Sequence, residues 1–304
     1  MKYVLYNTLA NNKRGRQNAV TIMQLDPEAE YVFKDITAFN DVATFLEEAN
    51  PEDDIIISGG DGTLNVFINQ IGDRVLKNDV YYYPAGSGND FMHDVCENED
   101  TDKKIIKINE YITDLPIVEI NGKRTYFMNG IGFGIDGYCC EEGDKIQARS
   151  DKPVNYTAIA LKGLIFKFKP RKAWVTVDGV TREYQNVWLA PAMNGKYFGG
   201  GMKVAPMQER LNEKRTVASM VMFHKSRIKI LVAFPTIFKG EHVVKHKALM
   251  DTRHGNEITV EFDQPTALQI DGETVRNVLK YTVYSGEAKK KLLNTPTKTE
   301  ETMA

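Results

Sequence analysis

Residues 54–63 read Asp54-Ile55-Ile56-Ile57-Ser58-Gly59-Gly60-Asp61-Gly62-Thr63. A short apolar run, which predicts a buried strand, ends directly in a glycine-rich turn, and residues 64–69 then begin a pattern typical of a helix. Glycines let the backbone approach an anion closely, and the free amides of a first helical turn point at it. The stretch therefore predicts a phosphate-binding turn between a strand and a helix.

A second glycine-rich turn, Gly86-Ser87-Gly88-Asn89-Asp90, follows the predicted strand at residues 80–84. Further strands are predicted at residues 3–6 and 31–36, with helical patterns between the strands. Such alternation is typical of an α/β fold with a doubly wound, mainly parallel sheet. Because ligands bind at the carboxyl ends of the strands in such sheets, we expect both turns to line one crevice.

The pattern changes after about residue 115. Asn121-Gly122 lies between two short strand-like runs and predicts a hairpin. Short strands predicted at 173–177, 184–191, 216–223, 257–262, 267–270 and 278–284 indicate an antiparallel β-sandwich, interrupted by two segments of helical character at 155–169 and 226–239. The sequence thus predicts an α/β domain at 1–120, a β-sandwich domain at 121–284, and a tail at 285–304 that could return to the first domain.

Composition narrows the class of protein. The chain has 304 residues, a length that suits two domains. Hydrophobic residues make up 42% and charged residues 26%, which is typical of globular proteins. A net charge of −2 gives no reason to expect nucleic acid as a partner. Three cysteines are too few for a disulfide framework, and no run approaches the roughly 18 apolar residues of a membrane span. We expect a cytoplasmic protein, at most peripheral at the inner face of a membrane.

Five ordered motifs resemble the diacylglycerol kinase catalytic family, which includes bacterial lipid kinases and the sphingosine and ceramide kinases. They are the two glycine turns, the hinge-like run at residues 127–136, the Gly-Gly-Gly-Met segment at 199–206, and Leu268-Gln269-Ile270-Asp271-Gly272-Glu273. The resemblance covers about residues 4–284. It implies an N-terminal sheet like that of NAD kinase and phosphofructokinase, and ATP as the phosphate donor. It also implies that the domain at 1–120 binds the nucleotide and that the sandwich at 121–284 binds the lipid.

The resemblance also implies a set of nucleotide-contacting residues. The family's first nucleotide-contacting loop usually runs Asn-Pro with a Gly close behind, whereas this chain has Asn7-Thr8-Leu9-Ala10-Asn11-Asn12. Ser87 stands where most relatives carry Thr. The implied set is Asn7, Thr8, Leu9, Ala10, Asn11, Thr37, Gly59, Gly60, Asp61, Gly62, Thr63, Leu64, Asn65 and Ser87.

Carboxylates supply the predicted chemistry. A hydroxyl that attacks phosphorus must lose its proton, and a nearby carboxylate can accept it. Asp271 and Glu273 follow an apolar strand and can reach one crevice, so we predict Glu273 as the base and Asp271 as its partner, with the reverse assignment left open. Asp61 and Asp90 are candidate Mg²⁺ ligands, and each could equally cap the helix that follows it.

These observations predict an ATP-dependent lipid kinase. Two alternatives stay open: a small-molecule kinase similar to NAD kinase, and a catalytically weak lipid- or nucleotide-binding regulator. The regulator is kept because residues 207–215 lack an Asp-Gly turn that holds a structural metal in bacterial lipid kinases of this type, and carry Arg210, Lys214 and Arg215 instead. Alternating basic and apolar residues at 161–172 favour a packed helix but also suit transient membrane contact. A homodimer is a further possibility, because edge strands of the sandwich can pair between two chains.

Overall fold

A computed structural model describes residues 1–39, 41–86, 88–97, 105–149 and 154–294, apart from the side chains of Asn11, Asn12 and Asn294. Ser87, one of the predicted nucleotide contacts, lies outside the described residues. Within these ranges no helix is long and apolar enough to cross a membrane.

The first part of the chain alternates strands with helices. Its strands are β1 (Lys2–Tyr6), β2 (Tyr31–Asp35), β3 (Asp54–Gly59), β4 (Val80–Pro84) and β5 (Ile106–Lys107). Its helices are α1 (Ala10–Lys13), α2 (Gly15–Val20), α3 (Val42–Glu48), α4 (Asp61–Ile71), α5 (Asp90–Val95) and α6 (Asn109–Ile112), with 3₁₀ segments at Thr21–Gln24 and Ile36–Ala38. The sheet order is β2-β1-β3-β4-β5, and only the β4–β5 pairing is antiparallel.

Helices cover both faces of this sheet, because the apolar side chains of its strands alternate between them. Val4 and Ile56 pack with Ala19 and Ile22 on the side of α2. The neighbouring side chains, among them Leu5, Ile55 and Ile57, pack on the opposite side with α3 and α4. The predicted doubly wound, mainly parallel sheet is confirmed.

The second part of the chain is rich in antiparallel strands. They are β6 (Ile117–Ile120), β7 (Lys123–Tyr126), β8 (Gly130–Gly134), β9 (Arg171–Val177), β10 (Val180–Met193), β11 (Tyr197–Phe198), β12 (Met202–Lys203), β13 (Val217–Phe223), β14 (Met250–Gly255), β15 (Glu257–Ile270) and β16 (Glu273–Tyr284). The helices are α7 (Ile135–Gln147), α8 (Tyr156–Lys162), α9 (Arg227–Ala233), α10 (His242–Lys245) and α11 (Gly286–Asn294), with a π-helical turn at Gly163–Lys167 and 3₁₀ segments at Phe234–Lys239 and Lys247–Leu249.

Two long strands, β10 and β15, join the layers of this second part. One half of each pairs with β9 and the other half pairs with β8. An apolar core that includes Phe133, Val175 and Tyr281 fills the interior, while α7, α8 and α9 cover a second apolar surface around Trp188 and Leu189. The antiparallel β-rich second domain is thereby confirmed.

The domain boundaries stay a prediction. Strand β6, which precedes the predicted boundary at residue 120, pairs with β16 and β7 in the second sheet. Helix α11 lies beside the first part of the chain, where Lys289 pairs with Asp73 and the Lys290 ammonium lies 2.7 Å from Asp114.

Candidate active site

The two glycine turns meet at the carboxyl ends of β3 and β4. A Cβ atom on Gly86 would lie 2.3 Å from the Cα of Gly60 and 2.8 Å from its nitrogen. No side chain fits between backbones this close, so the contact requires glycine at position 86. Gly60 is also the N-cap of α4, which leaves the first amides of that helix without acceptors inside the helix.

A cavity of about 980 Å³ begins at these turns and continues between the two parts of the chain. Its polar end is lined by backbone-rich segments and small side chains: Asn7, Leu9, Ala10, Gly60, Asp61, Gly62, Thr63, Gly86 and Gly88. The rest of its lining is mostly apolar and comes from the second part of the chain, with Ile135, Ala160, Phe198, Met202, Phe234 and Phe238 among the residues.

The predicted residues of the first loop divide into two groups. Asn7, Leu9 and Ala10 line the cavity, and Asn11 follows within α1. Thr8 and Thr37 instead hydrogen-bond to Asp35, Thr37 through its hydroxyl at 2.8 Å and its amide at 3.0 Å. Burial raises the pKa of Asp35, but the donors on Thr8 and Thr37 outweigh it and leave that pKa lowered. These threonines order the loop beside the cavity.

The residues of the first glycine turn also differ in role. The Gly59 carbonyl accepts hydrogen bonds from the Tyr82 hydroxyl and the Ala85 amide, both at 2.9 Å, which ties β3 to β4. Thr63 lines the cavity, and its buried hydroxyl has no partner among the described residues. Leu64 packs in the core of the first part. Asn65 faces the second part and donates to Asp271 at 2.8 Å.

Asp61 and Asp90 order the backbone around the cavity. The Asp61 carboxylate accepts the amides of Asp90 and Phe91, both at 2.9 Å, at the start of α5. The Asp90 carboxylate accepts the amides of Gly200 and Gly201 at 2.9 and 2.7 Å. Burial and the nearby Asp61 charge raise the pKa of Asp90 to about 7.

The carboxylate of Asp271 is buried and surrounded by donors. It accepts the amides of Met128, Asn129 and Gly130 at 2.6, 2.7 and 3.0 Å, in addition to the Asn65 side chain. Burial raises the pKa of Asp271, and these four donors oppose that rise. The geometry makes Asp271 a clamp between α4 and the segment that leads into β8.

Glu273, two residues later, has a different environment. It is exposed, lines the cavity, and begins β16 after Gly272, whose φ is +92°. Its Oε1 atom lies 3.8 Å from the position of a Cβ on Gly62. The carboxylate therefore lies beside the first glycine turn.

Arg210 is a buried residue of the site that the sequence pattern did not single out as a contact. Its guanidinium pairs with Asp94, donates to the Met128 carbonyl, and lies 2.5 Å from the Asn129 side-chain oxygen. Asn129 in turn donates to Asp61 at 2.8 Å. The Arg210 guanidinium thus connects the second part of the chain, through Asn129, to Asp61 in the first glycine turn. Nothing in the local pattern distinguishes this arginine from the solvated Lys214.

Asp136 and Gln269 were also missed as individual residues. Both are buried and line the cavity, and Asp136 is the second residue of α7. Burial raises the pKa of Asp136 to about 6, although the Gly137 amide and the Gln269 side chain oppose the rise. The only sequence signal was the glycine run before Asp136, which predicts a close backbone approach.

This raised pKa predicts a pH-dependent stability. Between the ordinary aspartate value of 3.8 and about 6, the folded chain binds this proton more tightly than the unfolded chain does. The contribution of Asp136 to the free energy of unfolding therefore falls as pH rises through that window, by at most about 1.4 kcal/mol per pH unit. Urea unfolding of the wild type and Asp136→Asn at about pH 4.5 and about pH 7.5 measures it. We expect the variant to gain stability relative to the wild type at the higher pH; a constant difference contradicts the prediction.

Two family profiles match the chain. The diacylglycerol kinase catalytic domain matches residues 2–120, and the YegS C-terminal NAD kinase beta sandwich-like domain matches residues 129–283, which is half of the chain. The two matches correspond to the two parts described above, and the cavity lies between them.

Curated relatives and a solved structure agree with these profiles. "Putative lipid kinase YtlR" of Bacillus subtilis (strain 168) is 28% identical over 213 residues, covering 64% of this chain and 67% of the relative. "Diacylglycerol kinase" of Mycobacterium tuberculosis (strain CDC 1551 / Oshkosh) is 24% identical over 200 residues, 64% of this chain, and the chain spans 63% of that relative. A "putative diacylglycerol kinase" structure from Bacillus anthracis str. Sterne shares the fold, with a TM-score of 0.64 at 17% identity over 94% of this chain and 92% of the other. The chain belongs to the lipid kinase family that joins a diacylglycerol kinase catalytic domain to a YegS-type β-sandwich domain.

Proposed function

We propose that this protein transfers the γ-phosphate of ATP to the hydroxyl of a lipid inside the cavity between its two parts. One observation carries the proposal. A single cavity is lined by the glycine turns and the start of a helix, by an exposed carboxylate beside them, and by an apolar surface. The reaction needs a phosphate site, a proton acceptor and a place for acyl chains, and this cavity offers all three.

The polar end fits the phosphates of ATP. The start of α4 lies at this end, where helix amides can hold an anion, and the close contact of Gly60 with Gly86 brings the two glycine turns together there. Asn7, Leu9 and Ala10 would contact the rest of the nucleotide, since they line the same end. Thr8 and Thr37 would act indirectly, through their hydrogen bonds to Asp35.

Glu273 is the proposed base. Its carboxylate takes the proton of the lipid hydroxyl while the hydroxyl oxygen forms its bond to the γ-phosphorus and the bond from that phosphorus to ADP breaks. Asp271 is assigned a positioning role, because its carboxylate is already committed to four donors. Since Asp271 fixes the turn that carries Glu273, it sets where the base stands over the phosphates.

The carboxylate oxygens of Asp61 and Asp90, the two predicted Mg²⁺ ligands, fit a metal site poorly. Both oxygens of Asp61 and of Asp90 already accept backbone or side-chain N–H groups, and within the described ranges no three acidic, His or Cys side chains converge as a metal site. Metal ligation by Asp61 and Asp90 stays a prediction, and we derive no step from it.

The apolar part of the cavity lining suits a lipid that is presented at a membrane surface. Helix α8 and the 3₁₀ segment after α9 supply Tyr156, Ala160, Phe234 and Phe238 to the cavity wall. The outward side chains of the same helical layer are apolar or basic: Leu161, Lys162, Phe166, Lys167, Ile228, Lys229 and Val232. Phe166 is 75% exposed. Such a mixture favours transient contact with lipid headgroups and the acyl boundary.

Labelled ATP tests the function. The protein is incubated with [γ-³²P]ATP and Mg²⁺ and, separately, with 1,2-diacylglycerol, monoacylglycerol, ceramide, sphingosine and NAD, and the products are separated by thin-layer chromatography. We expect label in at least one lipid and none in NAD. Label in NAD alone contradicts the lipid kinase and supports the NAD-kinase-like alternative. Label in no acceptor contradicts the kinase and supports a binding regulator.

A substitution at the contact of the two turns tests the phosphate site. Gly86→Ala places a methyl group 2.3 Å from the Cα of Gly60, so the turns must separate. We expect at least a tenfold loss of affinity for a non-hydrolysable ATP analogue, because one hydrogen bond to a charged phosphate is worth about 1.5–3 kcal/mol, and about 1.4 kcal/mol is tenfold in affinity. Calorimetric titration measures it. Gly179→Ala is the control for backbone strain alone: a Cβ there meets nothing within 4 Å, but the φ of +81° strains an alanine in a turn away from the cavity, so stability should fall while ATP affinity stays unchanged. Unchanged ATP affinity in Gly86→Ala would place the phosphates elsewhere.

A further inference from the structure

The guanidinium of Arg210 is enclosed where the two parts of the chain meet. The side chains of Arg210 and Asp94 are each 5% exposed, and they form an ion pair through the Arg210 Nε atom. The other two guanidinium nitrogens donate to the Met128 carbonyl and to the side-chain oxygen of Asn129. The guanidinium carbon also lies 5.0 Å from the centre of the Phe91 ring, which favours a cation. Every nitrogen of this buried cation therefore has a partner.

A glycine gives the guanidinium its space. A Cβ on Gly195 would lie 2.1 Å from the Arg210 Nη2 atom and 2.7 Å from the Asp94 Oδ2 atom. The backbone of Gly195 is itself held in place, because its amide donates to the Asn129 carbonyl at 3.0 Å. The ion pair of Arg210 with Asp94 thus packs directly against backbone, and any larger side chain at position 195 displaces it.

The loop that carries Arg210, residues 207–216, is ordered by N–H donors. The Asn212 side-chain nitrogen donates to the carbonyls of Glu209 and Thr216 at 2.7 and 3.0 Å, and the Asn212 side-chain oxygen accepts the Thr216 amide at 3.0 Å. The acidic side chains of the loop, Glu209 and Glu213, are exposed. A structural metal ion in this loop, which the family resemblance implies, would need oxygen ligands. The oxygens present already accept N–H groups or face solvent, so they do not fit such an ion.

A short series of contacts connects Arg210 to the first glycine turn. The Asn129 side chain accepts from Arg210 through its oxygen and donates to Asp61 through its nitrogen at 2.8 Å. Because the two atoms belong to one planar amide, the arginine fixes which of them faces Asp61. Asp61 in turn accepts the amides of Asp90 and Phe91 at the start of α5. Without the guanidinium, Asn129 loses the donor that orients it, and Asp61 loses a directed partner.

We propose that the Arg210 guanidinium is an internal cation that takes the place of a structural metal ion at the junction of the two parts, and that Arg210 is thereby a positioning residue for the phosphate site. The first half of the proposal concerns the folded chain alone. The second half rests on the proposed function, because it assumes that ATP binds at the glycine turns. A divalent ion that enters together with the nucleotide is a separate site and is not affected.

Thermal unfolding without nucleotide or lipid tests the internal cation. We expect the wild type to melt at the same temperature in EDTA as in added Mg²⁺ or Ca²⁺. Arg210→Ala should melt several degrees lower, because Asp94 and Asn129 are left buried without their partner. Methylguanidinium should raise the melting temperature of Arg210→Ala, since it binds the vacated space in the folded state. It should slightly lower that of the wild type and of the exposed loop control Lys214→Ala, as a weak denaturant does. A lower wild-type melting temperature in EDTA, or no rescue of Arg210→Ala, overturns the internal cation.

Affinity for a non-hydrolysable ATP analogue, measured by calorimetry with Mg²⁺, tests the positioning role. Arg210→Lys keeps the charge but cannot reach all three partners, and Gly195→Ala displaces the guanidinium without removing it; both serve if Arg210→Ala does not fold. We expect each of the three variants to bind the analogue at least about fivefold more weakly, the equivalent of one neutral hydrogen bond, and Lys214→Ala to match the wild type. Methylguanidinium should restore the affinity of Arg210→Ala alone.

The outcomes separate this proposal from the lipid kinase function. Unchanged analogue affinity in both Arg210→Lys and Gly195→Ala overturns the positioning role, even when the wild type labels a lipid. Weakened affinity in these variants, together with no labelled lipid from the wild type, supports the role of Arg210 and overturns the lipid kinase instead. If the wild type binds no ATP analogue, the positioning role and the proposed function are both wrong, and unfolding alone decides the internal cation.

Discussion

Glu273→Gln is expected to lower the rate of phosphoryl transfer by about 10²–10⁴-fold, the range found for loss of a general base. The amide has the size of the carboxylate but cannot accept the lipid proton. Affinity for ATP should stay within about twofold of the wild type, because the helix amides and glycine backbone that hold the phosphates are unchanged. Single-turnover transfer to the lipid that the wild type labels, and titration with a non-hydrolysable ATP analogue, measure the two quantities.

The matched control is Glu257→Gln. Glu257 is an exposed glutamate at the start of β15, the strand that leads to the Asp271 turn, and it lies at the opposite end of that strand from Glu273. The same loss of charge there should leave transfer unchanged. Equal reductions of ATP affinity and turnover in Glu273→Gln would show that this carboxylate binds the nucleotide, and the base would have to be sought elsewhere in the cavity.

The phosphate-binding half of the fold could be predicted because its signals are local. An apolar run followed by glycines places the end of β3, and the helical pattern predicted to begin at residues 64–69 lies within α4, Asp61–Ile71. The strand predicted at residues 80–84 is β4 without change. The expectation that both turns line one crevice follows from parallel topology alone, and the contact of Gly60 with Gly86 confirms it.

The strands of the second part were harder to predict, because its long strands contain residues that are typical of turns. The prediction of separate strands at 257–262 and 267–270 was wrong: β15 runs unbroken from Glu257 to Ile270, with register shifts in its pairing to β16. Asp263, Gln264 and Pro265 look like a turn in the sequence, yet they accompany an irregularity in the ladder. Strand β8 was not predicted, since three of its five residues are glycines, and these fit because the backbone of β10 approaches them closely.

The roles of the site residues depend on tertiary contacts that the spacing of residues in the sequence does not reveal. The chain has two Asp-Gly turns of the same geometry, Asp178-Gly179 and Asp271-Gly272, and both aspartates have a φ of 47°. Asp178 is exposed and accepts the amides of Asn256 and Glu257 at 2.8 and 2.9 Å. Asp271 is buried and accepts four donors from distant segments. Only the tertiary partners separate a hairpin turn from an interdomain clamp.

This pair of turns sets up the largest expected effect on stability. Asp271→Asn replaces one carboxylate oxygen by an NH₂ group, and each oxygen faces two donors: Oδ1 the amides of Asn129 and Gly130, Oδ2 the Met128 amide and the Asn65 side chain. Whichever oxygen is replaced, buried donors lose their acceptor, at about 1–3 kcal/mol for each group left unsatisfied. We expect the free energy of unfolding to fall by about 3 kcal/mol, and the melting temperature to fall by several degrees, at about 2–4 °C per kcal/mol.

Asparagine is the informative substitution because it tolerates the left-handed backbone that Asp271 adopts, so the loss measures the acceptor and not the turn. Asp178→Asn makes the same change in a matched, exposed turn and should cost less than about 1 kcal/mol, since water can replace the lost acceptor. Urea unfolding of both variants compares them directly. Equal losses would mean that the four donors around Asp271 find other partners, and the clamp between α4 and β8 would then not be what positions Glu273.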